Sequence, residues 1–458
     1  MLERFLEAYD AVLVLDTETT GISCRKAEII GLVHKEVKPA LGCTEPVAVA
    51  LATARAIEIM MSNVNGFSPA ESSFKINVEV SGNILKNGMG VGIPGTGMIG
   101  LRVAAALGAV CGKSSYGLEV LKDLDKDSIS AAKKMVAEDG VCISIAHDCP
   151  KLYVKAIIVI DNHKAWAVIE NEHDKFVETG FDDKTEVLAK RGESQCESAD
   201  DKETLDYHLT VKEIFEFANT VDFHDIEFIL DDRKLNLALA EEGLNGNYGL
   251  KVGKTILSCK DEVFGDDFLS YAMALTAAAS DARMAGCTLP AMSNSGSGNQ
   301  GITVSMPIIA YALKHNISDE KLARALIMSN LIAIHIKGYL GRLSALCGCV
   351  VASTGSSCGL VWIKGGGYEE ICYAIKNMIG NITGMVCDGA KVGCAMKVAS
   401  GVSSSIQSAV LALQGIHACE TDGIIDKDIE KTIANLGSIG STGMELADEL
   451  IQKIMVCK

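Results

Sequence analysis

The sequence is poor in aromatic residues and in proline. Phe, Trp and Tyr make up 5% of its 458 residues, and it has 7 prolines against 44 glycines. Because 48% of the residues are hydrophobic, the core must be built largely from small aliphatic side chains, which pack closely. This composition is typical of a globular enzyme, and the length predicts two or three domains.

The chain also lacks an excess of basic residues. It has 42 Lys and Arg against 59 Asp and Glu, which gives a net charge of -17. Nucleic-acid phosphates attract clustered Lys and Arg, so we expect no nucleic-acid partner. No basic segment followed by a cleavage site opens the chain, so we expect a cytoplasmic protein rather than a secreted one.

No charged residue interrupts residues 345–363, a stretch long enough to suggest a membrane span. The stretch contains three glycines together with several Ser and Thr residues. We therefore predict a segment buried in the protein core and no membrane partner.

Sixteen cysteines are many for such a chain, yet none of them forms a C-x-x-C motif. That absence argues against a zinc ribbon or a thioredoxin-like site, and disulfides are not expected in a cytoplasmic protein. Most of the cysteines are expected to be small buried hydrophobic residues. The open question is whether a few of them share a site.

Apolar patterns divide the chain into a mixed part and a helical part, which predicts an α+β fold. Residues 31–210 are predicted to form a mixed α/β domain with a small sheet, and residues 211–458 a mainly helical domain. The polar segment 191–207 is predicted to be a boundary loop. The predicted strands are residues 74–80, 141–146, 152–160, 165–169 and 175–178. The predicted helices are residues 44–61, 266–285, 302–314, 319–336, 369–382, 390–413 and 443–454.

Two glycine-rich segments, residues 95–100 and 296–301, match the G-x-G-x-x-G pattern. Neither directly follows a predicted strand, so a dinucleotide cofactor is not indicated. A glycine-rich turn before a helix can instead present free N–H groups to a substrate carboxylate. We predict that six nearby polar residues bind the substrate, with turns and caps as the alternative role: Ser81, Asn83, Ser295, Ser297, Asn299 and Gln300.

Cys43 lies at the predicted start of a helix. Thr44 is predicted to be the N-cap, and Glu45 and Pro46 suit the first helical positions. The helix dipole and the free N–H groups there favour a thiolate, although the Glu45 carboxylate would oppose it. Cys43 is therefore a candidate reactive cysteine, and a structural thiol is the alternative.

Cys387 and Cys394 are the second cysteine feature. On one unbroken helix they would lie ~10 Å apart along the axis, too far for one small metal site. Asp388 as an N-cap and Gly389 after it would place Cys387 before the helix, where the chain can fold back toward Cys394. On spacing alone, three residues compete to complete a cysteine trio: Cys347, Cys349 and Cys358.

Five stretches carry a family resemblance: KPALGCTEPVAVALA, SGNILKNGMGVGIPGTGMIG, NSGSGNQGI, CGCVVASTGSSCGL and NITGMVCDGAKVGCAMKVASG. From about residue 31 to its end, the chain resembles the L-cysteine desulfidase family and is more distantly similar to the iron–sulfur L-serine dehydratases. The resemblance implies a [4Fe–4S] cluster in the helical domain, held by Cys347, Cys387 and Cys394. It also implies that Cys43 is the catalytic base.

The implied activity is a β-elimination that converts L-cysteine to hydrogen sulfide, pyruvate and ammonia. The alternatives are an iron–sulfur L-serine dehydratase, which deaminates L-serine to pyruvate, and a non-catalytic protein that binds a metal or a small molecule. The expected partner is a small amino-acid substrate, and a homo-oligomer stays open. Cys457 is an alternative fourth ligand of the cluster.

Residues 1–30 fall outside that resemblance. An apolar run followed by D-T-E-T-T-G resembles the first motif of proofreading-type 3′–5′ exonucleases, in which an acidic pair, here Asp16 and Glu18, holds metal. A two-metal site needs further carboxylates. The single His-x4-Asp, His417 to Asp422, lies about 400 residues away, beyond the length of a domain. We interpret residues 1–30 as a nuclease-like fragment without nuclease activity.

Overall fold

The structure, a computed structural model, describes residues 23–189, 209–259, 263–341 and 344–456. Three sequence features lie outside the described residues: the D-T-E-T-T-G motif, the polar segment 191–207 and Cys457.

Eight strands are described. They are β1 Pro39–Ala40, β2 Lys75–Val80, β3 Val141–Ile145, β4 Tyr153–Ile160, β5 His163–Glu170, β6 Phe176–Phe181, β7 Lys184–Val187 and β8 Ala291–Met292. Six of them form one sheet in the order β3-β2-β4-β5-β6-β7, with β2 parallel to β3 and every other pair antiparallel. The five predicted strands are all present, and β7 and the two short strands were not predicted.

Alternating burial explains why these segments are strands. In β2 the side chains of Ile76, Val78 and Val80 are fully buried while their neighbours are exposed or half-buried. A period of two places these β-branched residues on one face of the sheet, where they can pack against a helix.

The first five helices lie before or among the strands in the sequence. They are α1 Cys24–Glu36, α2 Thr44–Asn63, α3 Gly82–Gly88, α4 Leu101–Val110 and α5 Lys126–Ala137. Helix α2 packs on α4 and on strands β4 and β5, and these elements enclose one hydrophobic core. Helix α1 contributes Ile29 and Val33, and Val37 just after it, to a second core, which is formed mainly by the later helices.

The later helices build that second core. They are α6 Val211–Thr220, α7 Phe223–Ile226, α8 Asp231–Asn245, α9 Val252–Ser258, α10 Phe268–Met284, α11 Gly298–His315, α12 Asp319–Leu340, α13 Gly348–Ile363, α14 Tyr368–Ile382, α15 Cys394–Ala412, α16 Ile429–Ser438 and α17 Glu445–Val456. The protein is thus mostly helical with one small sheet, as the mixed pattern predicted. The domain boundaries stay predictions.

Helix α13 is the centre of the helical part. It packs against α11, α12, α14 and α15, and nearly all of its side chains are buried. Most of the uncharged stretch 345–363 is therefore a helix buried in the core. Its small side chains make the contacts with the neighbouring helices. Among the described residues, no helix is both long and apolar enough to cross a membrane.

Helix α15 begins later than predicted. The prediction placed its start at residue 390, whereas the helix begins at Cys394. Gly389 has a φ of +89°, a conformation that interrupts a right-handed helix and that glycine adopts without strain. The delayed start makes Cys394 the first residue of the helix.

Candidate active site

The segment before Cys43 is held against the second glycine loop. Strands β1 and β8 pair antiparallel, with Ala40 opposite Ala291. The Thr44 hydroxyl donates a hydrogen bond to the Gly296 carbonyl oxygen at 3.0 Å. Two segments about 250 residues apart in the sequence thus meet beside Cys43.

Cys43 occupies the N-cap position of α2. Its backbone is extended, with φ −93° and ψ 136°, and its side chain makes no capping hydrogen bond. The prediction of Thr44 as the N-cap is wrong by one residue, because the Thr44 hydroxyl is engaged with the glycine loop. The Cys43 side chain is only 6% exposed.

Burial raises the pKa of the Cys43 thiol to about 12. The charge of Arg283 and a hydrogen bond from it lower that pKa, while the Glu45 carboxylate and Cys394 raise it. Desolvation therefore outweighs the helix terminus, and Cys43 is a neutral thiol near neutral pH, contrary to the expectation of a thiolate.

Arg283, in the last turn of α10, is the functional candidate that the sequence reasoning missed. Its side chain is 3% exposed, and Nη2 donates to the Gly42 carbonyl oxygen at 2.8 Å while Nη1 donates to Asn299 Oδ1 at 3.3 Å. Among the described residues, no carboxylate pairs with it. Cations are common in the last turn of a helix, so nothing in the local sequence set this arginine apart.

Cys347 and Cys387 lie on two paired segments. Leu346 and Val386 form an antiparallel bridge, the Cys347 N–H donates to Met385 at 2.9 Å, and the Cys387 N–H donates to Ala345 at 2.7 Å. Burial, followed by the nearby thiols of Cys387 and Cys394, raises the pKa of the Cys347 thiol to about 12. These electrostatic effects place the three thiols in one neighbourhood.

Cys394 connects this neighbourhood to Cys43. Both side chains belong to a small apolar cluster with Val91 and Met284. The thiol of Cys394 raises the pKa of Cys43, and that of Cys387 raises the pKa of Cys394 after burial. The structure thus brings together all four cysteines that the resemblance singled out.

Three of these cysteines stand at the N-termini of long helices. Cys43 is the N-cap of α2, Cys347 is the N-cap of α13, and Cys394 is the first residue of α15. The N-terminus of a helix carries a partial positive charge and free N–H groups, which stabilise anionic groups. The converging helix ends make a favourable place for negatively charged sulfur.

Two lysines add positive charge beside the cysteines. Lys397 Nζ donates to Asp388 Oδ1 at 2.5 Å and to the Val386 carbonyl oxygen at 2.7 Å, and Lys391 Nζ lies 2.6 Å from the same Asp388 oxygen. Burial alone would raise the pKa of the Asp388 carboxyl, but hydrogen bonds from the two lysines lower it to about 2. Asp388 is therefore an ion-pair residue and not the N-cap that was predicted.

The competing cysteines face helix interfaces. The Cys349 thiol donates to the Lys397 carbonyl oxygen at 3.2 Å, and its sulfur would lie 2.4 Å from a Cβ placed on Gly401. Cys358 faces the Ile371 carbonyl oxygen between α13 and α14. After burial, the thiols of Cys347 and Cys394 also raise the pKa of Cys349, so Cys349 lies near the trio as well.

The three predicted serines serve caps and turns. Ser81 caps α3 and donates to the Lys151 carbonyl oxygen at 2.7 Å, and Ser297 caps α11. Ser295, with a φ of +49°, donates to Asn294 Oδ1 at 2.9 Å. Their substrate-binding role stays a prediction, and the alternative role in turns and caps accounts for the contacts described.

Two of the three predicted amides, Asn299 and Gln300, contact residues next to the cysteines. The side-chain oxygens of Gln300 and Asn83 have no hydrogen-bond partner. Asn299 accepts from Arg283, and a Cβ placed on Gly348 would lie 3.1 Å from Gln300 Oε1, which itself has no hydrogen-bond partner. Asn83, on α3, is buried with an unpartnered Oδ1. A buried oxygen without a hydrogen-bond partner destabilises the folded protein unless a donor binds to it.

The three thiols are soft donors of the kind that bind iron–sulfur clusters. Among the described residues, no three His, Cys, Asp or Glu side chains are grouped closely enough to hold one metal ion. Cys347, Cys387 and Cys394 are soft donors beside helix N-termini and Lys397, and they fit such a cluster.

The chain is similar to known proteins along most of its length. A protein-family model described as serine dehydratase alpha chain matches residues 115–452, which contain Arg283 and the cysteine trio. A UPF0597 protein of Oleidesulfovibrio alaskensis is 50% identical over 94% of this chain and 97% of its own length. The chain is similarly related to UPF0597 proteins of Bacteroides fragilis, at 47% identity over 94% and 98%, and of Porphyromonas gingivalis, at 44% identity over 97% and 100%.

Proposed function

We propose, because the chain belongs to the serine dehydratase alpha chain family, that it is a β-eliminating lyase of the iron–sulfur dehydratase type. The finer proposal is that it converts L-cysteine to hydrogen sulfide, pyruvate and ammonia with a [4Fe–4S] cluster. Cys347, Cys387 and Cys394 would hold the cluster, and Cys43 would be the base.

One observation carries this proposal: Cys43 packs in one apolar cluster with Cys394, although about 350 residues separate them in the sequence. A purely structural role would not require three thiols at the N-termini of long helices. Thiolates bound to a cluster, by contrast, are stabilised by those helix ends and by the charge of Lys397.

Bound by Cys347, Cys387 and Cys394, a [4Fe–4S] cluster would supply Lewis-acid chemistry that polarises the substrate without an organic cofactor. The protein's own part in the reaction is then to remove the proton on the α-carbon. Loss of that proton and of the sulfur as hydrogen sulfide leaves aminoacrylate, which tautomerises to an imine. Water then hydrolyses the imine to pyruvate and ammonia.

Cys43 is the proposed proton acceptor. Its thiol must lose a proton before it can act, and the Arg283 guanidinium is the positive charge that lowers the pKa of Cys43. Burial raises the pKa of Cys43. The same exclusion of water strengthens the interaction between the Arg283 charge and a Cys43 thiolate, because charges interact more strongly in a low dielectric. The buried position also protects the reactive aminoacrylate from premature reaction with bulk water.

An L-serine dehydratase is the second candidate, because the matching family is described as serine dehydratase alpha chain. The two reactions differ in the leaving group, and hydroxide is a poorer one than hydrogen sulfide. The site would then have to activate the leaving group more strongly, while the roles of Cys43 and the cysteine trio would be unchanged.

Anaerobic purification followed by a pyruvate assay tests both candidates. We expect a brown protein with about four irons and four sulfides per chain, the content of a [4Fe–4S] cluster, and a higher kcat/KM for L-cysteine than for L-serine. The reverse order would replace the cysteine assignment with the serine one. A colourless protein that is fully active with another metal would overturn the cluster assignment.

A further inference from the structure

Two buried polar atoms of opposite kind lack partners beside the second glycine loop. Arg283 Nε is a donor and Gln300 Oε1 is an acceptor, and neither makes a hydrogen bond in the described structure. Their residues are 3% and 1% exposed. A buried polar group without a partner costs about 1–3 kcal/mol, and more if it is charged, so such atoms call for an explanation.

The guanidinium of Arg283 is a buried cation without a carboxylate. It fits against the loop because Gly298 has no side chain: a Cβ there would lie 2.2 Å from Nε. Its hydrogen bonds to Gly42 and Asn299 use two of five N–H donors, and the Cys43 thiol is a third hydrogen-bond partner. The guanidinium can therefore still receive an anion, and a planar carboxylate matches its geometry.

A chain of buried amides orients Gln300. Asn330 Nδ2 donates to Asp232 Oδ2 at 3.0 Å and to the Leu326 carbonyl oxygen at 3.0 Å, so Asn330 Oδ1 is left to accept from Asn294 Nδ2 at 2.8 Å. Asn294 Oδ1 then accepts from Gln300 Nε2 at 2.8 Å. These hydrogen bonds fix the orientation of each amide group, so that Gln300 Oε1 at the end of the series is a free acceptor.

The two unpartnered groups meet at one short stretch of the glycine loop, residues 298–300. Arg283 contacts Gly298 and Asn299, and Gln300 is the next residue along the chain. Arg283 also adjoins Cys43, and Gln300 Oε1 adjoins Gly348, the residue after Cys347. The loop therefore lies between the proposed base and a proposed cluster ligand.

We propose that this pair is the recognition subsite for a zwitterionic α-amino acid, an inference that rests on the proposed function. Arg283 binds the α-carboxylate, and Gln300 Oε1 accepts a hydrogen bond from the α-ammonium group. The substrate satisfies both buried atoms at once, and the amide chain through Asn294 and Asn330 positions the acceptor. An amine without a carboxylate, or an acid without an amine, satisfies only one of them.

Binding of unreactive probes tests the proposal separately from turnover. L-Alanine has both groups but nothing to eliminate, whereas propionate lacks the amine and ethylamine lacks the carboxylate. Calorimetry on the anaerobically purified enzyme should show that Arg283→Gln weakens L-alanine and propionate by at least about tenfold and leaves ethylamine unchanged, the loss typical of one charged hydrogen bond. Gln300→Leu should weaken L-alanine and ethylamine and leave propionate unchanged.

Matched controls and a second variant guard against misfolding. Arg324→Gln and Gln407→Leu remove an arginine and a glutamine elsewhere, on α12 and α15, and should change none of the three affinities. Gly298→Ala keeps the charge of Arg283 but displaces the guanidinium, so it should also weaken L-alanine. Melting temperatures of all variants show which of them remain folded.

Failure of the subsite proposal and failure of the lyase proposal give different results. If L-alanine binding depends on both residues but no pyruvate forms from any amino acid, the subsite stands and the lyase proposal fails. If pyruvate forms and Arg283→Gln lowers kcat without changing the affinity for L-alanine, the subsite proposal is overturned, and Arg283 serves as the counter-ion of a Cys43 thiolate instead.

Discussion

Lys397 Nζ lies 2.5 Å from Asp388 Oδ1, and this ion pair closes the turn that carries Cys387. The same lysine is close enough to Cys347 and Cys387 for their charges to act on it: burial lowers the pKa of Lys397, but hydrogen bonding to Asp388 and the two thiols raise it overall. Lys397 thus supplies positive charge where three thiolates and a cluster would bring negative charge.

Replacing Lys397 should weaken the hold on the cluster. We expect Lys397→Met to lose iron faster than the wild type in the presence of a chelator, because an anionic cluster would lose a neighbouring cation. Lys364→Met, at the far end of α13, is the control and should retain iron as the wild type does. Equal iron loss in all three proteins would show that Lys397 has no part in cluster binding.

The cysteine trio should respond as a unit. Ser in place of Cys347, Cys387 or Cys394 should lower both iron content and pyruvate formation, since each thiolate binds a different iron. The controls are Cys349→Ser and Cys358→Ser, whose thiols face helix interfaces, and these should keep the iron. Iron and sulfide analysis decides the matter, and a full complement of iron in any of the trio variants would remove that residue from the ligand set.

Cys43→Ala should keep the cluster but lose turnover. Loss of a general base typically costs ~10²–10⁴-fold in rate. Cys43→Ser should be nearly as inactive, because the pKa of a hydroxyl is much higher than that of a thiol. Iron content, melting temperature and turnover are measured on one sample. Near-wild-type turnover with intact iron would end the assignment, and loss of iron would make Cys43 a ligand.

Asp232 should make the stability of the protein dependent on pH. Burial raises the pKa of its carboxyl to about 7, and the hydrogen bond from Asn330 only partly offsets this. A raised carboxyl pKa contributes stability that is fully present below the unfolded value, near 4, and is lost as the pH rises through about 7. Asp232→Asn stays neutral, so its melting temperature relative to the wild type should rise between about pH 5 and about pH 8. A difference that is constant over this range would contradict the assignment.

The last helix should be held in place by a buried ion pair. Lys86 on α3 pairs with Asp448 on α17, with side-chain exposures of 1% and 17%. Asp448→Leu leaves the buried lysine unpaired, which typically costs ~3–5 kcal/mol. The double variant Lys86→Met with Asp448→Leu should therefore melt at a higher temperature than Asp448→Leu alone. A lower melting temperature for the double variant would show that the pair is not coupled.

Much of the secondary structure could be predicted because burial along a strand or helix is a local, periodic property. The alternation in β2 and the uncharged run of α13 are visible in the sequence, and both elements are present in the structure. The late start of α15 was not visible, because it depends on the positive φ of Gly389 and on the pairing of Asp388 with two lysines.

The sequence predicted seven of the helices, five of the strands and, through resemblance, the four cysteines worth following. Only the tertiary structure decided that Arg283 lies beside Cys43 as a buried cation, and that Asn294, Asn330 and Asp232 orient Gln300. The physical reason is that the partners and the burial of a polar group are set by distant segments. The contact between Arg283 and Gly42 spans 241 residues, and no local pattern encodes it.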